Sequence, residues 1–251
     1  MGDRQNSKLQ PQKEGSVKIL GLDYETTGLD PERDHIAEVG LVLYDSDSKT
    51  PVRITGFLVK VPGGMPAEAA AVNGITTELL DAYGVEPAAA LKATLGMLAM
   101  ADCVAAHNGN DFDKLFLEAA CRRIGTGPKP LLWIDTCTDF PHAAYTRGKS
   151  RALKYMACDH GFVYDAHRAV NDILAMFKIL GEYDLTEIVK RAQTPNVRVR
   201  AVVSFDDKHL AKERGYYWKP ELKLWVKPLK ADEVDAEKLA APFPVVLMEA
   251  A

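Results

Sequence analysis

The sequence has little that would tie the chain together covalently or anchor it in lipid. Its four cysteines, Cys103, Cys121, Cys137 and Cys158, form no CxxC pair and sit within apolar runs. That spacing argues against a zinc ribbon or a disulfide frame, so the thiols are expected to be small buried side chains in a reducing compartment, the cytoplasm. No apolar stretch is long enough to cross a bilayer, and no membrane partner is expected. The opening residues, MGDRQNSKLQPQKEGS, lack the apolar segment of a secretory signal, so 1–16 are expected to be a loose polar tail. No internal repeat is present. A strong excess of positive charge is also missing: the net charge of −4 argues mildly against a nucleic-acid binder, although it averages over an uneven distribution.

What is present fits one large domain, or one with a small appendage. The chain has 251 residues, 47% of them hydrophobic and 26% charged, ordinary values for a globular protein. Three strand-like runs come first, at 17–23, 36–44 and 52–59, separated by the turn-rich TGLDPERD and DSDSKTP. PAEAAAVNGITTELLDAYG looks helical with a break at Asn73-Gly74, and PAAALKATLGMLAMA has helical spacing throughout. CVAAHN and LLWID are short buried strands. Between them, NDFDKLFLEAACRRIG is a helix with Asn110 or Asp111 as N-cap and Gly125 near its end. SRALKYMACDHG and AHRAVNDILAMFKILG are further helices. Strands that alternate with helices after an opening meander predict an α/β fold with a mixed sheet. Ligands in such folds sit at the carboxyl ends of the strands, where Asp23, Glu25, His107 and Asp135 fall.

Past residue 195 the texture changes. Residues 196–230 carry nine Lys or Arg against four Asp or Glu, a net of +5, and read as strand, helix, turn and strand. In VRVRAVVSF one face carries Val197, Val199, Ala201 and Val203. Asp206 is the expected N-cap of the following helix and Gly215 its stop. Trp218 and Trp225 flank a Pro-containing turn and are candidate core residues. The expected organisation is therefore a tail at 1–16, a main domain at 17–190, a small basic α+β module at 196–230 that offers a second nucleic-acid contact, and an acidic then apolar tail at 231–251.

Four carboxylates from three separated segments carry the chemistry: Asp23 and Glu25 in LDYETTGL, Asp113 in HNGNDFD, and Asp172 in HRAVND. Taken singly, each is an ordinary residue: a solvated loop pair, a helix N-terminal charge, an exposed helix position. Brought together in a desolvated cleft they would repel strongly, and a divalent cation removes that penalty. All-oxygen ligands suit Mg²⁺ or Mn²⁺, and this many carboxylates suit two ions sharing ligands. Such a centre hydrolyses phosphodiesters by in-line displacement. His167, five residues before Asp172, is the candidate general base, since an imidazole can accept a proton near neutral pH.

On these residues the sequence resembles the DnaQ-like 3′–5′ exonucleases of the DEDDh subgroup. LDYETTGL is similar to the first motif, AAHNGNDFDKLFL to the second in its longer-spaced form, and HRAVND to the third, H-x-A-x-x-D. VNGITTELL resembles the family's H-G-I-T stretch, with Asn73 where His is common. The resemblance covers about residues 17–180. It implies a ribonuclease-H-like mixed five-stranded sheet flanked by helices, with one antiparallel strand. It implies that Asp23, Glu25, Asp113 and Asp172 bind the metals, with Asp113 preferred over Asp111, and that His167 is the base. Thr26, Leu29, Asn108 and Phe112 become candidates for contact with the terminal nucleotide. Arg147 and Lys149, in the basic TRGKSRALK, are candidates for phosphate contact. Asp135 is expected to play a supporting or structural part. The expected substrate is a single-stranded or frayed 3′ end of DNA, with an exoribonuclease of RNase T or oligoribonuclease type as the alternative. A polymerase-bound proofreading subunit or a DNA-repair complex is another setting for the same chemistry. The rival of a different class is a binding module that has lost catalysis, against which all five catalytic positions keep the required residue types.

Overall fold

The structure is a computed structural model that describes residues 16–140 and 151–248. It divides into two compact units, Met1–Val189 and Lys190–Ala251.

The first unit is built on a five-stranded sheet. Its strands are β1 (Lys18–Thr26), β2 (Ile36–Asp45), β3 (Thr50–Leu58), β4 (Cys103–Ala106) and β5 (Leu132–Asp135), in the order β3-β2-β1-β4-β5. β2 runs antiparallel to both neighbours, and β4 and β5 run parallel to β1. This is the mixed sheet that the sequence predicts, with the one reversed strand that the resemblance implies. The helices are α1 (Ala67–Asn73), α2 (Thr77–Tyr83), α3 (Pro87–Met100), α4 (Asp113–Arg123), α5 (Leu153–Asp159) and α6 (Ala169–Leu180). A seventh, α7 (Leu185–Gln193), crosses the boundary between the units and was not anticipated. The break expected at Asn73-Gly74 separates α1 from α2, with Gly74 in the left-handed conformation.

Side-chain parity along β1 decides what each face does. Leu20, Leu22 and Tyr24 point into a core shared with Leu91, Leu98, Phe116 and Leu117 of α3 and α4. Gly21, Asp23 and Glu25 face the other way, toward α6. A Cβ at Gly21 would run into Ile173 and Phe177 of α6. One at Gly40 would lie 2.7 Å from the Ala169 carbonyl carbon, and one at Gly56 would lie 2.5 Å from Val170 Cγ2. Gly40 pairs with Gly56 on β3 and with Asp23 on β1. Three missing side chains thus form a groove across the sheet in which α6 lies against the backbone. The helix is fixed there by Ile173, Met176 and Phe177, all buried, and by Phe177 stacking on Tyr44 at 4.3 Å. Each such buried side chain contributes roughly 1.5–3 kcal/mol. The close approach brings Asp172 to the strand that carries Asp23.

Several expected boundaries move. β1 continues to Thr26, because pairing with β2 persists through Glu25↔Glu38 and breaks register only between Glu25 and Thr26. Asp23 and Glu25 therefore lie within the strand, not beyond its end. α4 begins at Asp113 with Phe112 at its N-cap and no side-chain cap, in place of Asn110 or Asp111. The cause is Asp135, whose carboxylate takes the N–H groups of Asn108 (2.9 Å) and Asn110 (3.1 Å) and holds that loop out of the helix.

The second unit comprises β6 (Asn196–Ala201), α8 (Lys208–Glu213), β7 (Tyr217–Lys219), β8 (Leu224–Lys230), a 3₁₀ turn (Ala231–Glu233), α9 (Val234–Ala240) and β9 (Val245–Leu247). Its antiparallel sheet runs β7-β8-β6-β9. The expected module at 196–230 is therefore incomplete, because the segment after 230 supplies a helix and an edge strand. Val199, Ala201, Ala211, Tyr216, Val234 and Phe243 form the core. Val199 and Ala201 lie on the face that the alternation of β6 predicts. Asp207, not Asp206, occupies the N-cap of α8, and Gly215 follows the helix at φ +82°. Trp218 is 45% exposed and lies outside the core, whereas Trp225 packs at its margin.

Candidate active site

A cleft of about 260 Å³ opens beside the carboxyl-terminal half of β1. Asp23, Glu25, Asp113, His167 and Asp172 all line it, together with Asn108, Phe112, Lys154 and Tyr164. Ligand oxygens of Asp23, Glu25 and Asp172 lie within 4.8 Å of one another. Asp113 enters from the start of α4 and is 2% exposed, its Oδ1 accepting the N–H of Tyr24 at 2.9 Å. Asp111, the other acid of that motif, is exposed and does not line the cleft.

The carboxylates are in electrostatic conflict. Burial, followed by the charges of Asp113, Asp172 and Glu25, holds the Asp23 carboxyl well above the usual range. Burial pushes Asp113 up to about 8, against the hydrogen bond from Tyr24. Burial likewise raises Glu25 to about 7, against a hydrogen bond from Asn73, and it raises Asp172. Groups so placed favour a proton or a cation over the bare charge. The donor set is oxygen only, shared between a strand and a helix seated on it, and it fits a hard divalent ion.

The surrounding side chains aim these groups. Tyr164 Oη donates to Asp172 Oδ1 at 2.7 Å, and the Arg168 N–H donates to the other oxygen at 3.0 Å. Glu38, 6% exposed, accepts from Arg168 Nη2 at 2.8 Å and from the Ala169 N–H at 3.1 Å. Through that pair a β2 side chain caps α6, which has no cap of its own. Asn73 Nδ2 donates to Glu25 Oε2 at 3.3 Å while its Oδ1 accepts the Ile75 N–H. The residue that departs from the family's histidine thus orients a carboxylate of the cluster. His167 is exposed at the cleft rim, two residues before α6, with φ +66°. Asn108 has φ +64°. Left-handed backbone at a non-glycine residue persists where its surroundings fix it. For Asn108 that fixture is Asp135, which is 2% exposed and also accepts the Cys137 N–H. His107 lines the cleft too, its Nδ1 2.8 Å from Thr136 Oγ1.

Two candidates for nucleotide contact do not reach the cleft wall. Thr26 is buried, its hydroxyl donating to the Gly28 carbonyl at 2.6 Å. Leu29, 84% exposed, stands on the loop after β1. Arg147 and Lys149 lie outside the described residues, and from the same basic segment Lys154 lines the cleft. Sequence reasoning missed Tyr164 and Glu38. Nothing in the sequence marks Tyr164. Glu38 had a signal, the one carboxylate within the apolar IAEVGLVLY.

The family model described as exonuclease, of the RNase T type, matches residues 20–180. A domain of unknown function, DUF8626, matches residues 197–248. No curated protein matches the chain. Among solved structures, exonuclease I is similar with a TM-score of 0.64 at 16% identity, over 92% of this chain and 64% of that one. E. coli exonuclease I in complex with a dT13 oligonucleotide gives 0.62 at 15%, over 92% and 66%. A 3′-exonuclease described for 3′-end-specific recognition of a histone mRNA stem-loop gives 0.56 at 17%, over 68% and 82%. The chain spans about two thirds of the length of exonuclease I, and at these identities the likeness is one of fold.

Proposed function

The chain belongs to the RNase T-type exonucleases, of ribonuclease-H-like fold, and from that premise we propose that it releases nucleoside 5′-monophosphates from single-stranded or frayed 3′ ends of DNA. The observation that carries this reading is the meeting of Asp23, Glu25 and Asp172 oxygens within 4.8 Å, in a cleft that also holds Asp113 and His167. Asp23, Glu25, Asp113 and Asp172 would hold two Mg²⁺ or Mn²⁺ ions. Bound there, the ions supply charge stabilisation for the phosphodiester and lower the pKa of the attacking water.

The chain's own groups do the rest. His167, at the rim and free of the helix, accepts the proton of the attacking water. Tyr164 and Asn73 keep Asp172 and Glu25 in their orientations, as supporting hydrogen bonds do for metal ligands generally. Phe112 offers an aromatic face to the terminal base, and base stacking of this kind tolerates any sequence. Lys154 offers a cation to a phosphate. Leu29, exposed on its loop, is suited to meet the base from outside the cleft.

The test is hydrolysis of 3′- and 5′-labelled DNA and RNA oligonucleotides with Mg²⁺, Mn²⁺, Ca²⁺ or EDTA. Mononucleotides should leave from the 3′ end with Mg²⁺ or Mn²⁺, little should be released with Ca²⁺, and none with EDTA. Shortening from the 5′ end, or activity that persists in EDTA, overturns the reading. A preference for RNA would favour the second reading, an exoribonuclease, toward which the likeness to the histone mRNA 3′-exonuclease leans.

A further inference from the structure

The second unit has a cleft of its own, which the chemistry above does not use. Its volume is about 540 Å³, and Phe205, Lys208, Lys212, Tyr217, Trp218 and Trp225 line it, with Tyr216 at the back. A volume of this size lies within the range of about 300–1,000 Å³ common to ligand clefts. Its surface is unusual for so small a unit. Phe205 is 78% exposed, Trp218 45% and Tyr217 44%. Clustered exposed aromatics of this kind mark a binding surface.

The charges around the cleft are sorted. Glu237 is 8% exposed and holds Arg214 and Lys227, both at 3.0 Å. Glu233 holds Arg191 at 2.8 Å. Arg214 and Lys227 are thus occupied within the fold, so the +5 counted over 196–230 overstates what a ligand would meet. Lys208 and Lys212 differ. Among the described residues neither has an ion-pair partner, and their ammonium groups lie over aromatic rings, Lys208 at 3.4 Å from the Phe205 centroid and Lys212 at 5.7 Å from that of Trp225. Among the described residues no carboxylate lines the cleft. Trp218 and Trp225 are tilted by 55° with centroids 5.6 Å apart, so neither ring covers the face of the other.

We propose that this cleft is a stacking site for unpaired nucleobases of a single strand, with Trp218 and Phe205 as the platforms and Lys208 and Lys212 as the phosphate contacts. The chemistry selects that ligand. Aromatic faces beside cations, with few groups to read a base edge, take any unpaired base and its backbone. A duplex has its base faces already stacked. The proposal rests on the exonuclease reading for its biological sense, since a second contact on the same chain raises the effective concentration of a long strand.

The test uses the full chain in EDTA, where turnover is suppressed, with a labelled dT oligonucleotide of about 20 residues, followed by anisotropy and tryptophan emission. Wild type should bind with quenched emission. Phe205→Ala and Trp218→Ala should each weaken binding about tenfold, since stacking of one base contributes on that order, while Trp218→Phe stays within about threefold of wild type. Phe205 is exposed enough that its replacement leaves the fold intact. Joint replacement Lys208→Glu and Lys212→Glu should make the slope of log K against log salt shallower by about 1.4, the value for two phosphate contacts on a single strand. Inorganic polyphosphate should bind without quenching. Hydrolysis of a dinucleotide with Mg²⁺ or Mn²⁺ is the separate readout, and it should be unchanged in all four variants. If wild type hydrolyses nothing, the catalytic reading fails while the binding data still judge the cleft. Unquenched binding by wild type, no binding at all, or oligonucleotide affinities unchanged in the Phe205 and Trp218 variants at every salt concentration overturns the proposal.

Discussion

The carboxylates of the first unit face one another because their backbone places leave them no alternative, and single substitutions there should separate chemistry from stability. Asp23→Asn or Asp172→Asn should abolish turnover while leaving the metal-free protein as stable as wild type or more so, because each removes a charge from the conflict that raises Asp23. Turnover assays and thermal denaturation in EDTA check the two halves. His167→Gln should lower the rate by roughly 10²–10⁴-fold, the usual contribution of a positioned base, with metal affinity kept. Calorimetric Mn²⁺ titration beside the kinetics separates the two effects. Tyr164→Phe removes only the donor to Asp172 and should weaken metal affinity about 10- to 100-fold. If Tyr164→Phe titrates with Mn²⁺ like wild type, the hydrogen bond plays no part in orienting its ligand. The acids and the histidine were legible in the sequence because LDYETTGL, HNGNDFD and HRAVND carry them in the order and context of the motifs they resemble. Tyr164 and Asn73 were not: Tyr164 stands eight residues before Asp172 in a stretch with no period, and Asn73 lies 48 residues from Glu25, so neither hydrogen bond leaves a trace in the local pattern.

Among the elements, α6 is the one whose seating matters most. Gly40→Ala would push a methyl group to 2.8 Å from the Ala169 Cβ and 2.9 Å from Ile173 Cδ1. Overpacking of this kind typically destabilises by about 1–3 kcal/mol. Denaturant unfolding should show that loss, and activity should fall with it because Asp172 rides on the displaced helix. A stable, fully active Gly40→Ala variant would mean that α6 can shift without moving the cluster. The sequence displayed the elements through their apolar periods and misplaced their ends. β1 ran on past Asp23 because β2 kept pairing with it, and α4 started late because Asp135 held the preceding loop. Both ends were set by partners distant in the chain, which a local pattern does not contain. α7 escaped notice for a related reason: it is nine residues long and buries a single large residue, Ile188.

For the whole protein, the raised carboxyls predict how stability changes with pH. Glu25 titrates at about 7 and Asp113 at about 8 in the folded chain, against ordinary values of 4.5 and 3.8. The folded state therefore binds these protons more tightly than the unfolded one. Their contribution is fully present below about pH 4 and is lost as the pH rises through 7 to 8. A divalent ion replaces the protons, so the rise in Tm on adding Mg²⁺ should be larger at pH 8 than at pH 5.5. Scanning calorimetry at both pH values, with and without Mg²⁺, measures it, and an equal rise at both would show that the ion binds elsewhere.

The edge strand β9 also bears on how the chain is made. Every strand and helix that carries a residue of the acidic cluster precedes residue 181, whereas β6 has one edge uncovered until Val245–Leu247 arrives to pair with it. Synthesis runs from the amino terminus, and domains fold as units in that order. On the ribosome the catalytic unit can therefore close while the second still presents a row of unpaired backbone groups, the kind of surface that recruits other nascent chains. Arg198 and Arg200 alternate along β6, and charged side chains on an exposed edge are one of the devices that blunt such pairing.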